Sequence, residues 1–323
     1  MNKYLTIAFS AAMVFAASCG CAKDPGPKLP VIPVSPKDSV CTPWIDPDAP
    51  EKPEYLCNGR IQIGVDMERG AGVFHFSEAG SKKNLLNRFD EGRFIQQSYY
   101  GYDDGSRWNG QGWVWNPVQG GCWDSSVKGE VVKYEKKDNS FYAKTIPALW
   151  ASCKPADDCI FEENISLNGD VARIVFNMTY TGSKAGKSRH QELPAVFVDW
   201  DLSTFVCYNG SKPWTNDPEL TSYVPKNLEE SGNSYQNYTE GWAAFIGPDG
   251  KGIGLYSPST KQCTLYRYGY GPGGSKAASC SYFAPIEAMA ITPGFSFSYK
   301  VFVTYGTVDQ IRSRFKAIHD SMR

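Results

Sequence analysis

Apolar residues recur at every second position through much of the chain. Ile61, Ile63 and Val65 alternate with polar or small residues, a glycine-rich turn runs from Met67 to Gly72, and Val73, Phe74 and Phe76 follow, which predicts a β-hairpin. Similar runs lie at Ala172 to Tyr180, Ala195 to Val198, Gly241 to Ile246, Gly252 to Tyr256 and Phe295 to Tyr305, with Pro248-Asp249-Gly250 as a turn between two of them. Short strands separated by Gly, Asn, Asp and Pro predict an all-β fold, a large antiparallel β-sandwich. The last segment differs: Val308, Ile311, Phe315, Ile318 and Met322 recur every three or four residues and predict a short C-terminal helix covering the sheet, with His319 on its solvent side. No repeat or second linker divides residues 55–323, which are read as one domain.

The N-terminus follows another pattern. Lys3 precedes an apolar run from Leu5 to Ala17, too short to span a bilayer as a mature helix, and this reads as a signal peptide over residues 1–18. Ala16-Ala17-Ser18-Cys19 resembles the lipobox of bacterial lipoproteins, which implies lipidation at Cys19; the alternative is an ordinary cleaved signal peptide with Cys19 in a disulfide. Nine prolines then fall in the 29 residues from Pro25 to Pro53, so residues 19–54 read as an extended tether. The expected location is the bacterial cell envelope, lipid-anchored to the outer membrane, periplasmic or surface-exposed.

Composition narrows the partners. Among 323 residues, 33 Lys+Arg stand against 34 Asp+Glu, which gives no basic footprint and argues against nucleic acid. Ten cysteines without a paired zinc-type spacing suit an oxidising compartment. Eight of them lie beyond the anchor region; Cys153 with Cys159 and Cys263 with Cys280 are the local pairings the spacing favours, although connectivity stays open. Only His75, His190 and His319 supply imidazole, and no metal or cofactor is called for.

Three segments concentrate polar chemistry. In Gly92 to Gly101, strand alternation places Arg93, Gln97 and Tyr99 on one face and Phe94, Gln96 and Tyr100 on the other; guanidinium, amides and phenols suit the hydroxyls of a sugar. The following Asp103-Asp104-Gly105 lacks calcium-loop spacing and reads as a turn. Trp108, Trp113, Trp115 and Trp123 fall within sixteen residues among Gly, Asn and Gln, a shaped loop whose indoles could stack on pyranose faces. In Arg189 to Asp199, His190 and Glu192 are two apart, so an extended backbone points both one way and sets an imidazole beside a carboxylate. His190 and Glu192 are therefore the candidate catalytic pair, with Glu240, beside Trp242, as a second carboxylate. Arg93, Gln96, Gln97, Tyr99, Trp113, Trp115, Gln119 and Trp242 are the candidate sugar contacts.

GRFIQQSYY at Gly92 to Tyr100, WVWNPVQGG at Trp113 to Gly121 and RHQELPAVFV at Arg189 to Val198 resemble a group of secreted bacterial proteins. The opening hairpin, ending in Lys83-Asn84-Leu85-Leu86, resembles the start of the galactose-mutarotase-like supersandwich. That resemblance implies an all-β domain with a sugar site on its concave face, although His190 alone is well placed as a catalytic histidine, which departs from the mutarotase pattern. The expected function is a hydrolase or lyase acting on a polysaccharide or oligosaccharide. The alternatives are a non-catalytic glycan-binding surface lipoprotein and an envelope structural protein.

Overall fold

Strands whose alternate residues are apolar must cover that face, and here two sheets cover each other. A computed structural model describes residues 41–323. The expected signal peptide, Cys19 and residues 19–40 of the tether lie outside the described residues. The larger sheet runs through Pro53–Cys57, Ile61–Asp66, Gly72–Glu78, Ile95–Ser98, Arg189–Asp199, Cys280–Met289, Gln262–Tyr268 and Ser234–Asn237, with the short strands Pro117–Val118, Ala148–Leu149 and Lys154–Pro155 beside it. The second sheet runs through Thr221–Tyr223, Thr204–Cys207, Trp242–Ile246, Lys251–Tyr256, Ser296–Thr307, Val171–Tyr180, Cys159–Asn168, Ser140–Ile146 and Glu130–Lys137. The pairs named in the register of both sheets are antiparallel, as the hairpin patterns predict. Ile63, Val73, Leu193 and Val196 from the larger sheet meet Ile165, Ile174 and Val301 from the second in one buried core.

The C-terminal helix, Val308–Ser321, begins in a reciprocal cap: the Thr307 hydroxyl accepts from Gln310 N–H while the Gln310 side chain accepts from Thr307 N–H. Its buried residues Ile311, Phe315 and Ile318 lie with Trp242, Tyr256 and Phe302 on the outer face of the second sheet. The approach is close enough that a Cβ on Gly254 would stand 2.5 Å from Ile311 Cγ2, so glycine is required there by space alone. His319 departs from its expected solvent position: its ring stacks on Trp214 at 4.4 Å between centroids, and Nδ1 lies 3.2 Å from the Tyr256 hydroxyl.

Two further expectations are corrected. The stretch from 41 to 54 is docked on the domain rather than extended: Trp44 exchanges backbone hydrogen bonds with the Gln62 side chain, Asp46 pairs with Arg88, and Cys41 is bonded to Cys57. The local cysteine pairings do not form. Cys263 stands opposite Pro285 and Cys280 opposite Tyr268, five residues along the same ladder and roughly 16 Å apart, and Cys159 is buried in the core away from the turn that carries Cys153.

Candidate functional site

Strand parity fixes which side chains leave the sandwich core. In the strand Arg189–Asp199, Gln191 turns away from solvent and clamps Tyr100, accepting from its backbone N–H at 2.7 Å and donating to its carbonyl at 2.9 Å. His190 and Glu192 therefore project together from the opposite, outer face of the larger sheet. The register slips between Glu192 and Val196, and this irregularity reverses the parity, so that Ala195 and Phe197 continue the face on which Glu192 stands while Val196 and Val198 enter the core. Cross-strand neighbours complete it: Ser98 and Ile286 flank Glu192, and Tyr282 lies between Phe197 and Tyr266, its ring centroid 4.6 Å from the first and 4.4 Å from the second.

This face is concave. Tyr235, on the edge strand, is three inter-strand steps from His190, roughly 14 Å on a flat sheet. Their ring centroids nevertheless lie 5.9 Å apart, so the sheet curls and the Tyr235 ring leans inward. The opposite wall is Trp113, whose indole meets the Tyr100 ring edge-on at 6.4 Å. Trp113 is carried by a projecting ribbon, Arg107–Trp108 paired with Gln111–Gly112, and is braced by Trp108 at 5.1 Å, which in turn contacts Trp150 at 5.8 Å. Between the walls lies a cleft of about 390 Å³ lined by Tyr100, Trp113, His190, Glu192, Tyr235 and Thr264, among others. That volume lies within the range of small-ligand sites.

Glu192 is the electrostatic centre of the cleft. Tyr282 donates to its Oε1 at 2.5 Å, and the Ser98 and Tyr100 hydroxyls also bond it. Burial raises its pKa above the ordinary carboxylate value, against the three hydroxyl bonds that favour the charged form. Burial and the neighbouring carboxylate hold both phenols well above their usual pKa, so they remain donors. Glu192 thus keeps a proton to higher pH than a solvated glutamate. It can deliver that proton in a partly dry site, with the exposed imidazole of His190 beside it on the same strand face.

No family model and no curated protein sequence matches the chain. Solved structures do. The chain is similar to a galactose mutarotase-like protein from Lactobacillus casei (TM-score 0.51, 11% identity, 79% of this chain and 100% of that one). It is also similar to the Slr1438 protein from Synechocystis (TM-score 0.50, 14% identity, 83% of this chain and 100% of that one). The fold is the galactose-mutarotase-like supersandwich. At such identities the likeness extends to architecture, and the site must be argued from its own residues.

Within that supersandwich the candidate residues separate into two groups. His190, Glu192 and Trp113 meet in the cleft. The others are spent elsewhere. Arg93 is buried at the end of the concave face, where its guanidinium donates to Asn87 and the Ala278 carbonyl, pairs with Asp90 and lies over Phe197 and Tyr268. Gln96 bonds the Glu91 carbonyl and Gly120 N–H. Gln97 and Tyr99 point between the sheets, bonded to each other, and Gln119 donates to the Gly70 carbonyl and to Glu163. Trp115 is buried, with its indole N–H on Asp158.

Glu240 also leaves the site. Its carboxylate accepts from Arg312 Nε at 2.9 Å and Nη2 at 2.7 Å, from the Trp242 indole at 2.7 Å and from Trp214 N–H at 2.6 Å, beneath the C-terminal helix on the other sheet. With its oxygens so occupied it is spent on structure, and Trp242 is its buried partner. The sequence pattern did not single out Tyr235, Thr264, Ser98 or Tyr282, and Tyr100, set on one face with Gln96, was not among the candidate contacts. The signal for Ser98 and Tyr100 was present as alternation; what was lacking was which parity faces the core.

Proposed function

We propose that the cleft binds a polysaccharide or oligosaccharide and that His190 and Glu192 transfer protons to it, as a hydrolase or lyase. The observation that carries this reading is the placement of the His190–Glu192 pair on the floor of a concave face between two aromatic walls, Trp113 and Tyr235. Aromatic faces match the C–H faces of pyranose rings, and hydroxyl and amide groups at the rim match their hydroxyls.

Between the two reactions, the occupation of Glu240 by Arg312 favours the lyase, because hydrolysis in its usual form needs two carboxylates flanking the bond and the second one suggested by the sequence is withdrawn. Elimination needs one base and one acid. His190 would take the proton on the carbon next to a uronate carboxylate, the C–O bond at the adjoining carbon would break with formation of a double bond, and protonated Glu192 would give its proton to the departing oxygen.

Chromatography and ultraviolet absorbance of reactions with uronate-containing and neutral glycans test this. Unsaturated products from the wild type and none from Glu192→Gln are expected; saturated products would move the reading to hydrolysis, and calorimetric binding with no product would move it to glycan capture. Attachment through Cys19 is proposed on the lipobox-like run alone. Cys19→Ala should shift the protein from the membrane to the soluble fraction of expressing cells, and unchanged fractionation would remove the anchor.

A further inference from the structure

We propose that Cys122 and Cys153 are a disulfide pair that fastens the aromatic wall of the cleft. Thirty-one positions separate them in sequence, yet their sulfurs and one Asp124 carboxylate oxygen all lie within 4.8 Å of one another. Both thiols donate to that same oxygen, Cys122 at 3.1 Å and Cys153 at 3.0 Å. The segments that carry them are already zipped together. Pro117–Val118 pairs with Ala148–Leu149, Trp150 N–H donates to the Asn116 carbonyl at 2.8 Å, and Trp123 N–H donates to the Trp150 carbonyl at 3.3 Å. A bond at this point would fix Trp150 relative to the chain that bears Trp108 and Trp113, and so fix the wall of which Trp113 is the inner face. The chain carries such a bond elsewhere, between Cys41 and Cys57.

Closure is an oxidation. Both S–H bonds and the S–S bond of a small-molecule disulfide such as oxidised glutathione break, one S–S bond forms between Cys122 and Cys153, and the two electrons and two protons given up by the protein end on the two thiols of reduced glutathione. Asp124 then loses both thiol donors and keeps those of the Ser126 N–H and hydroxyl. Burial, with the hydrogen bonds to Cys122 and Asp124, holds the Cys153 thiol up to about 12, so little of it is thiolate at neutral pH and closure should be slow. Removing the charge should hasten it.

The test uses the full folded chain, incubated with oxidised glutathione, alkylated without reduction, and cut before aspartate so that Cys153 and Cys159 fall on separate peptides. The expected result is a Cys122–Cys153 cross-linked peptide that disappears on reduction, forming several-fold faster in Asp124→Asn. Alkylated thiols at both positions after prolonged oxidation, linkage of either to another cysteine, or retention of stoichiometric zinc with both thiols shielded would each overturn the proposal. The readout is covalent and does not depend on whether the cleft binds a sugar.

Discussion

A carboxyl group bonded by the hydroxyls of Ser98, Tyr100 and Tyr282 is held between two demands, burial that favours its proton and donors that favour its charge. In Glu192 burial wins, and the pKa rises. If protonated Glu192 is the acid, turnover falls as pH climbs through that raised value. Tyr282→Phe removes a donor to the charged form, so the alkaline limb of the kcat profile should move to higher pH, a shift measurable by initial rates across pH. Glu192→Gln should lower kcat by roughly 10²–10⁴-fold without changing the unfolding midpoint. Trp113→Ala should weaken glycan affinity about tenfold by calorimetry, the size of one lost aromatic contact. At Arg312 the expectation is different in kind. Arg312→Ala leaves the fully buried Glu240 without its cation and should destabilise the fold by about 3–5 kcal/mol in urea titration, with the cleft chemistry intact in the folded fraction.

Strands decide which of these roles a residue can take, because one step of parity separates core from cleft. The fold class, the hairpins and the helix Val308–Ser321 were legible as periodicity, and so was the joint projection of His190 and Glu192. The face of Ile95–Ser98 was not. Gln97 beside Tyr99 looks like a sugar surface by composition, yet both lie between the sheets, and it is Ser98 and Tyr100 that reach Glu192. No local rule reveals that polar residues will be buried when the partners that satisfy them, such as Glu163 for Gln119, come from a strand over forty positions away. Nor does sequence show the register slip after Glu192 that brings Phe197 to the concave face.

Glu163 is the outcome of such burial. Its carboxyl, in the strand Cys159–Asn168, is pushed up to about 8 by desolvation, against the Gln119 bond. The folded state therefore holds a proton that the unfolded chain, with an ordinary value of 4.5, releases earlier. Its contribution to stability is fully present below the unfolded value and is lost as pH rises through the folded one, with a slope of at most about 1.4 kcal/mol per pH unit. Glu163→Gln should flatten that part of a urea-midpoint profile.

At the scale of the whole molecule, two curved sheets packed on one core leave the outer face of the larger sheet as a cleft, while the C-terminal helix covers the outer face of the smaller sheet. The segment from Cys41 is fastened to the domain by the Cys41–Cys57 bond and by Trp44, so residues 41–54 belong to the domain. Among the described residues no helix is long and apolar enough to cross a membrane. We propose that this cleft is a carbohydrate site worked by His190 and Glu192. Its most direct test is product analysis of one glycan panel with the wild type, Glu192→Gln and Trp113→Ala. Cleavage by the wild type, binding without cleavage by Glu192→Gln and weakened binding by Trp113→Ala are expected. Unchanged cleavage by Glu192→Gln, with binding indifferent to Trp113, would contradict it.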